Sequence, residues 1–364
     1  MNEKNPIRIG IVGLGRAGNG MHAPELRNRS EKFVFYAACD LIPERTTAFQ
    51  KEFGSIPYGK YEDMLADPNV ELVDIATRSC DHFRQAKAAL FAGKDVFLEK
   101  PFCLNVKDAR ELVELGSKKG GPHLYVRHNR RFEQGFKLVN EIIESGILGN
   151  VYEIRLARNG YSRRDDWQTL NEFGGGQLNN WGPHIIDHSL RFCGGAYTSL
   201  YSELRLVAAA GDAEDHLKLV FTGVNGRIVD MEISGGVAIA VPEYIVYGSK
   251  GALISEKNGF YLRYLDPGKQ LPLIKAIPET PGTAPAIFTN QEQLSWIEEH
   301  RQVILDSNTD HIWDALYDAI RLGKPFPITS DQALSVIEVI EEVKNRSNSD
   351  KSKFDVRTTE EYTL

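Results

Sequence analysis

A glycine turn, one lysine and one histidine are the residues of this chain whose types and spacing point most directly to chemistry. Ile7 to Gly18 reads as a buried strand that runs into a Gly-x-Gly-x-x-Gly turn at Gly13, Gly15 and Gly18. Gly13 permits the tight turn, and Gly15 lets a pyrophosphate lie against the backbone. Gly18 lets the next helix pack close to the sheet, and the N-terminus of that helix attracts phosphate charge. A second apolar run, Phe33 to Cys39, ends in Asp40, 22 residues past Gly18. The acid that binds an adenosine ribose is expected about 20 residues on. A carboxylate there accepts bonds from the ribose hydroxyls and repels a 2′-phosphate, so NAD is expected ahead of NADP. Arg45 partly offsets that repulsion and leaves NADP use open.

Two further stretches carry reactive side chains. Asp95 to Leu98 is a strand pattern leading into Glu99-Lys100-Pro101. A lysine at the carboxyl end of such a strand is placed to touch a substrate; the plain alternative is a solvent-facing lysine beside a helix-starting proline. The chain must turn sharply there, and a cis Lys100–Pro101 bond would provide that turn. The stretch Glu172 to His188 holds three glycines, Gly174 to Gly176, then Asn180, His184 and His188 four residues apart with Asp187 beside them. In a helix these fall on one face. The glycines would admit a ligand, and the helix start would offer free N–H donors. His184 follows Gly-Pro and suits general acid–base work, since imidazole titrates near neutrality. His188 reads as a packed core histidine. Two histidines at this spacing raise zinc, but no Glu follows His184 and no third ligand is evident, so no metal is expected.

These residues need a frame. The first third alternates strand and helix patterns, which implies a doubly wound parallel sheet with its crevice at the carboxyl ends of the strands. Strands are expected near 8–12, 33–39, 72–75, 95–98 and 123–126. Helices fall between them at 20–28, 43–53, 61–66 and 83–92, with another at 106–119. After Phe132 a helix at 134–145 leads to alternating strands at 151–158, 201–209, 216–221, 228–233 and 244–247. That is the pattern of an α+β domain with a large, mostly antiparallel sheet. Pro267, Pro272, Pro278, Pro281 and Pro285 mark an extended loop. Helices return at 291–306, 311–322 and 330–345, and the tail 346–364 reads as a surface strap or frayed end. Two domains follow: 1–126, dinucleotide-binding, and 127–364, for substrate and self-association.

The formal charge of −7 and the absence of a long basic run argue against nucleic acid. No stretch approaches a membrane span, and Met1 to Pro6 has no apolar core of a secretory signal. Cys39, Cys80, Cys103 and Cys193 lack CxxC spacing and read as buried free thiols of a reducing, cytoplasmic compartment.

The three elements, in this order, resemble the Gfo/Idh/MocA oxidoreductases from about Ile7 to Asn345. Further matches are Ile75-Ala-Thr77 with His82, Asn129-Arg-Arg131-Phe, Gly146-x-x-Gly149 and Ala319-Ile-Arg-x-Gly323-Lys-Pro325. The resemblance implies a Rossmann domain, a C-terminal α/β domain whose sheet face makes a homodimer or homotetramer, and a nicotinamide at the cleft. It assigns Lys100 as the catalytic lysine, His184 as the histidine that exchanges the hydroxyl proton, and Asp187 as its companion acid. It also favours the cis form of the Lys100–Pro101 bond. It implies cofactor contacts at Gly13, Gly15, Arg16, Ala17, Asp40, Thr77, His82, Glu99 and Lys100. Two positions depart from the family pattern: Asn180 stands where an Asp is common, and Thr77-Arg78 replaces Thr-Pro. An amide orients a hydroxyl or imidazole but cannot stabilise imidazolium by charge. The expected activity is hydride transfer between a secondary alcohol of a sugar, sugar derivative or polyol and NAD. Asn180 and Asp187 would bind hydroxyls. Trp181, Trp167 and Tyr161 would wall the site, and Arg163 and Arg164 would meet a carboxylate if the substrate carried one. An NAD-retaining glycosidase and a non-catalytic NAD sensor are the rival readings. Lys100 and His184 together argue against the sensor.

Overall fold

A computed structural model describes residues 6–275, 278, 292–304, 309–347 and 355–357. Its first layer is a six-stranded parallel sheet of β1 (Ile7–Val12), β2 (Phe33–Cys39), β3 (Ile56–Tyr58), β4 (Leu72–Ile75), β5 (Asp95–Leu98) and β6 (Leu124–Val126). The order is β3-β2-β1-β4-β5-β6, that of a dinucleotide-binding fold. The strands are apolar runs because helices cover both faces of such a sheet. Ile7, Ile9 and Ile11 enter the core on one face, and Val12, Val73 and Val96 enter the core on the other. The short β3 is the element the sequence hides. Pro57 and the exposure of Ile56 mask it, and a proline is tolerated there because β3 is an edge strand.

The second sheet has eight strands: β7 (Val151–Asn159), β8 (Tyr197–Arg205), β9 (His216–Gly223), β10 (Ile228–Ser234), β11 (Tyr244–Gly248), β12 (Gly251–Glu256), β13 (Gly259–Leu265) and β14 (Trp296–Gln302). Their order is β14-β13-β12-β11-β7-β10-β9-β8, antiparallel except for the β7–β10 pair. The β8 pattern begins four residues earlier than expected. The hairpin of β12 and β13 turns through the two residues Lys257 and Asn258, with Glu256 paired to Gly259.

One expectation fails outright. The segment 296–302, expected inside a helix at 291–306, is the edge strand β14 on β13. Its residues alternate exposed and half-buried, a period of two, and the open ladder edge of β13 overrides a helix-compatible composition. Gln291 and Asp306, Pro281 and Pro285, and most of the tail lie outside the described residues. Of the tail, Asp355–Arg357 forms the expected strap: Asp355 bridges Leu206, and Arg357 donates to the carbonyls of Ala209 and Gly211 at 2.6 and 2.9 Å. Cys39, Cys103 and Cys193 are buried, but Cys80 is exposed, which corrects the reading of four buried thiols.

The boundary at 126 separates the sheets but not the cores. The helix His311–Leu322 was expected to belong to the second domain, yet it packs on the first. Ile312, Trp313 and Leu316, all fully buried, close the face made by Ile7, Ile9, Ile11 and Phe33. The parallel sheet needs a cover on that face, and the returning chain supplies it. Trp313→Ala should therefore lower the unfolding free energy by about 3–5 kcal/mol, the usual cost of emptying a large core site. Urea denaturation would read this, and an unchanged midpoint would refute the packing role.

Candidate active site

Backbone geometry at the end of β1 explains each glycine. Gly13 has φ +90°, and a Cβ there would lie 2.8 Å from the backbone of Ala76. A Cβ on Gly18 would meet the Gly13 carbonyl oxygen at 2.1 Å. Gly15 differs: the nearest atom to its absent Cβ is an Arg45 nitrogen at 4.0 Å, so its surface is open. Two glycines close the turn and one leaves room, which is the cradle a pyrophosphate needs. Arg16 is exposed beside it and Ala17 begins the following helical turn. The Asp40 carboxylate accepts from Leu14 N at 2.6 Å and from Ile42 N at 2.9 Å, with Arg45 at 3.6 Å. It is locked to the turn, and its remaining lone pairs suit ribose hydroxyls. The residues present thus fit NAD.

The ends of β4 and β5 are tied together. The His82 ring lies 2.8 Å from the Pro101 carbonyl oxygen and 3.2 Å from that of Thr77. Burial lowers its pKa and keeps it neutral, so one N–H donates at a time. Thr77 donates to Gln85 at 2.5 Å. His82 was expected at the cofactor; the structure buries it as a clamp that sets Thr77 and the Lys100–Pro101 turn. That peptide bond is cis, as expected.

Lys100 Nζ donates to the backbone carbonyl of Asn180 at 2.9 Å, joining the two domains across the cleft. Burial pushes its pKa down to about 8. Glu99 opposes this, and Arg127, Arg130 and Arg16 add to it. His184 is 6 % exposed and its Nδ1 has no partner among the described residues. Burial, then the Lys100 charge, then Arg130 hold it well below its ordinary value, so the ring is neutral. His128 stands edge-on to it, 6.4 Å between centroids, and burial pushes that ring down to about 4. His188 stacks on Phe136 at 3.9 Å and meets the Arg130 carbonyl, the core role expected of it.

Three expectations change in the folded chain. Asn180 and His184 sit on two successive helices, Gln177–Asn180 and Gly182–Phe192, that meet at Trp181. Asp187 is buried and grips Arg131 through both oxygens at 2.5 and 2.6 Å. It anchors the His184 helix rather than presenting a free carboxylate. The donors after the three glycines are not free. Leu178 N bonds the Glu214 carboxylate and Gln177 N the Glu214 carbonyl, each at 2.9 Å. A Cβ on Gly176 would strike that carboxylate at 2.3 Å. Burial pushes Glu214 up to about 7.

A cavity of about 210 Å³ opens between Trp181, Asn180, Gln177, Glu214 and Arg164. Arg130 and Arg158 lie over the Trp181 ring at 4.6 and 5.0 Å. Trp167 is half-buried at the start of a short helical turn, Tyr161 is exposed on a bridge to Gly236, and Arg163 is exposed. Arg164 is engaged by Asp166 and Gln168. Glu214, His128, His22, Asp74 and Arg127 escaped the sequence reading. Asp74 left a signal, a carboxylate inside the apolar run Leu-Val-Asp-Ile, where an unpaired charge does not belong.

Residues 7–128 match the oxidoreductase family with an NAD-binding Rossmann fold, and residues 136–254 match the GFO/IDH/MocA C-terminal domain. An uncharacterized oxidoreductase of Schizosaccharomyces pombe is 30 % identical over 68 % of this chain and 70 % of its own length. The scyllo-inositol 2-dehydrogenase (NADP(+)) IolW of Bacillus subtilis is 25 % identical over 95 % of each chain. The solved structure of GenD2 from gentamicin A biosynthesis, in complex with NAD, superposes with a TM-score of 0.75 at 23 % identity, covering 96 % of each chain; that likeness shows the fold. The chain belongs to the Gfo/Idh/MocA family, an NAD-binding oxidoreductase with a Rossmann domain ahead of the family's C-terminal domain.

Proposed function

We propose that this oxidoreductase is a dehydrogenase that moves hydride between NAD and a secondary alcohol of a sugar, sugar derivative or polyol. The observation that carries the reading is the pairing of Lys100, hydrogen-bonded to Asn180 across the cleft, with a neutral His184 whose Nδ1 is unpartnered. Bound NAD would supply the hydride acceptor. His184 takes the hydroxyl proton. Lys100, as an ammonium, donates to the same oxygen and stabilises the negative charge that develops on it. The cavity beside Trp181 receives the rest of the molecule. Gln177 Oε1, buried without a partner, and the Glu214 carboxylate offer acceptors to hydroxyl donors. Arg164 is already held by Asp166, so the lining favours a neutral, hydroxyl-rich substrate over a uronate. The inositol 2-dehydrogenase named among the relatives acts on a compound of this class. Self-association through the eight-stranded sheet is part of the same reading, with Tyr152 and Tyr201 more than half exposed on its strands.

A screen of sugars, polyols and their glycosides with NAD and NADP, following reduced cofactor, tests the activity. A glycosidase cycle would release product without accumulating NADH. His184→Ala should lower kcat by roughly 10²–10⁴, the scale of a lost general base, while NADH affinity holds. Near-normal turnover would remove His184 from the mechanism. In the pH profile of the oxidation, activity should fall as pH rises through about 8, where Lys100 loses its proton. The His184 limb should lie below pH 6.5, because its folded value is depressed.

Cofactor choice gives a separate expectation. NAD should bind more tightly than NADP, and Asp40→Ala should narrow the gap by removing a charge that repels the 2′-phosphate. Fluorescence titration of both reduced cofactors measures it. Tighter NADP binding by the unmodified chain would overturn the assignment.

A further inference from the structure

A chain of buried charges runs from the nucleotide turn to Lys100, and the mechanism above does not use it. His22 lies four residues past Gly18 and is fully buried. Its Nδ1 is 2.8 Å from Asp74 Oδ2 and its Nε2 is 3.0 Å from Glu99 Oε1. A neutral imidazole would point a lone pair at one of these carboxylates. Both nitrogens therefore carry protons, and the ring is an imidazolium. Burial opposes that charge, but Asp74 and the two carboxylate hydrogen bonds raise the ring to about 9 even against Arg127.

The chain continues. Glu99 Oε1 also accepts from Arg127 at 2.8 Å, and Glu99 Oε2 accepts from the backbone N of Lys100 at 3.1 Å. Arg127 holds both oxygens of Glu25, at 2.6 and 2.7 Å, and the Trp313 indole donates to Glu25 at 2.7 Å. Three carboxylates face two cations, which leaves one negative charge. The Lys100 ammonium balances it. Besides Glu99, the largest charges acting on Lys100 are the cations Arg127, Arg130 and Arg16, and its own charge is felt by His128 and His184.

Such a chain is a poor device for stability alone. Apolar residues of the same volume commonly serve a core as well or better than buried ion pairs. Asp74 even keeps one buried oxygen, Oδ1, without a partner. We infer that His22, clamped between Asp74 and Glu99, is a positioning residue for Lys100: it fixes the Glu99 carboxylate against the lysine and makes the nucleotide turn and the lysine one unit. This rests on the reading that Lys100 works as an ammonium in the proposed reaction.

The test reads Lys100 directly and needs no substrate. Competitive acetylation of the full chain with acetic anhydride, across a pH series and analysed by peptide mass spectrometry, gives the midpoint of Lys100. Glu99→Gln should lower that midpoint by about 1–3 units, the effect of removing a close opposite charge. His22→Gln should move it in the wild-type background and leave it unmoved in the Glu99→Gln background, because His22 acts through Glu99. Where His22→Gln does not fold, Asp74→Asn reads the same coupling by removing the carboxylate that holds the ring. A midpoint that ignores His22, or shifts equally in both backgrounds, overturns the inference. Coupling without turnover on any polyol would sink only the proposed reaction.

Discussion

A lysine ammonium drawn into a half-buried, largely desolvated cleft is the constraint around which this protein is arranged. Desolvation of that charge is costly, and an unbalanced buried ion would shed its proton. Glu99 supplies the balancing charge from the same strand end, and the Asn180 carbonyl supplies the hydrogen-bond acceptor from the other domain. Glu99 is itself buried. Burial works against its ionisation, but Arg127 and His22 outweigh it and hold its carboxyl far below the usual range. Each charge is tolerated because the next one is present. The series ends where Trp313 meets Glu25, on a helix that returns from the far end of the chain.

That dependence explains why the two domains are interlocked. The parallel sheet supplies Glu99, Lys100 and the glycine turn at the carboxyl ends of its strands, where such sheets place ligands. It cannot supply the acceptor for Lys100 or the imidazole. Those come from helices packed on the eight-stranded sheet. The Asp187–Arg131 pair ties the His184 helix to the segment just after β6, and Glu214 caps the preceding helix. Arg78 stacks on Phe173 at 4.8 Å and adds a cation–π contact across the cleft.

Much of this was legible in the residues. The glycine turn could be read because a backbone contact at 2.1 Å leaves no alternative to glycine at position 18. Strand boundaries at β2, β4 and β5 followed from apolar runs that a doubly covered sheet requires. Other features were not local. β14 is a strand because β13 offers it an edge, a fact absent from its own seven residues. Glu214 gave no sign of capping a helix 36 residues before it. His22 looked like an ordinary helix residue, since its partners lie 52 and 77 residues further on. Asp187 was expected to bind substrate, but its partner Arg131, 56 residues earlier, takes both of its oxygens.

Burial acts on Lys100 and His184 in the same direction and yields opposite charge states. Both groups are cationic when protonated, so loss of solvent lowers both pKa values. Lysine starts at 10.5 and is brought to about 8, still protonated at neutral pH. Histidine starts at 6.5 and ends neutral. One desolvated cleft therefore holds a proton donor beside a proton acceptor, without an aspartate at position 180. The two are also coupled: the Lys100 charge is the next-largest cause, after burial, of the depressed value of His184. A carboxylate in place of Asn180 would pull both values up and begin to charge the imidazole. The amide keeps the acceptor empty, which suits the proposed reaction, whose first step takes a proton from an alcohol.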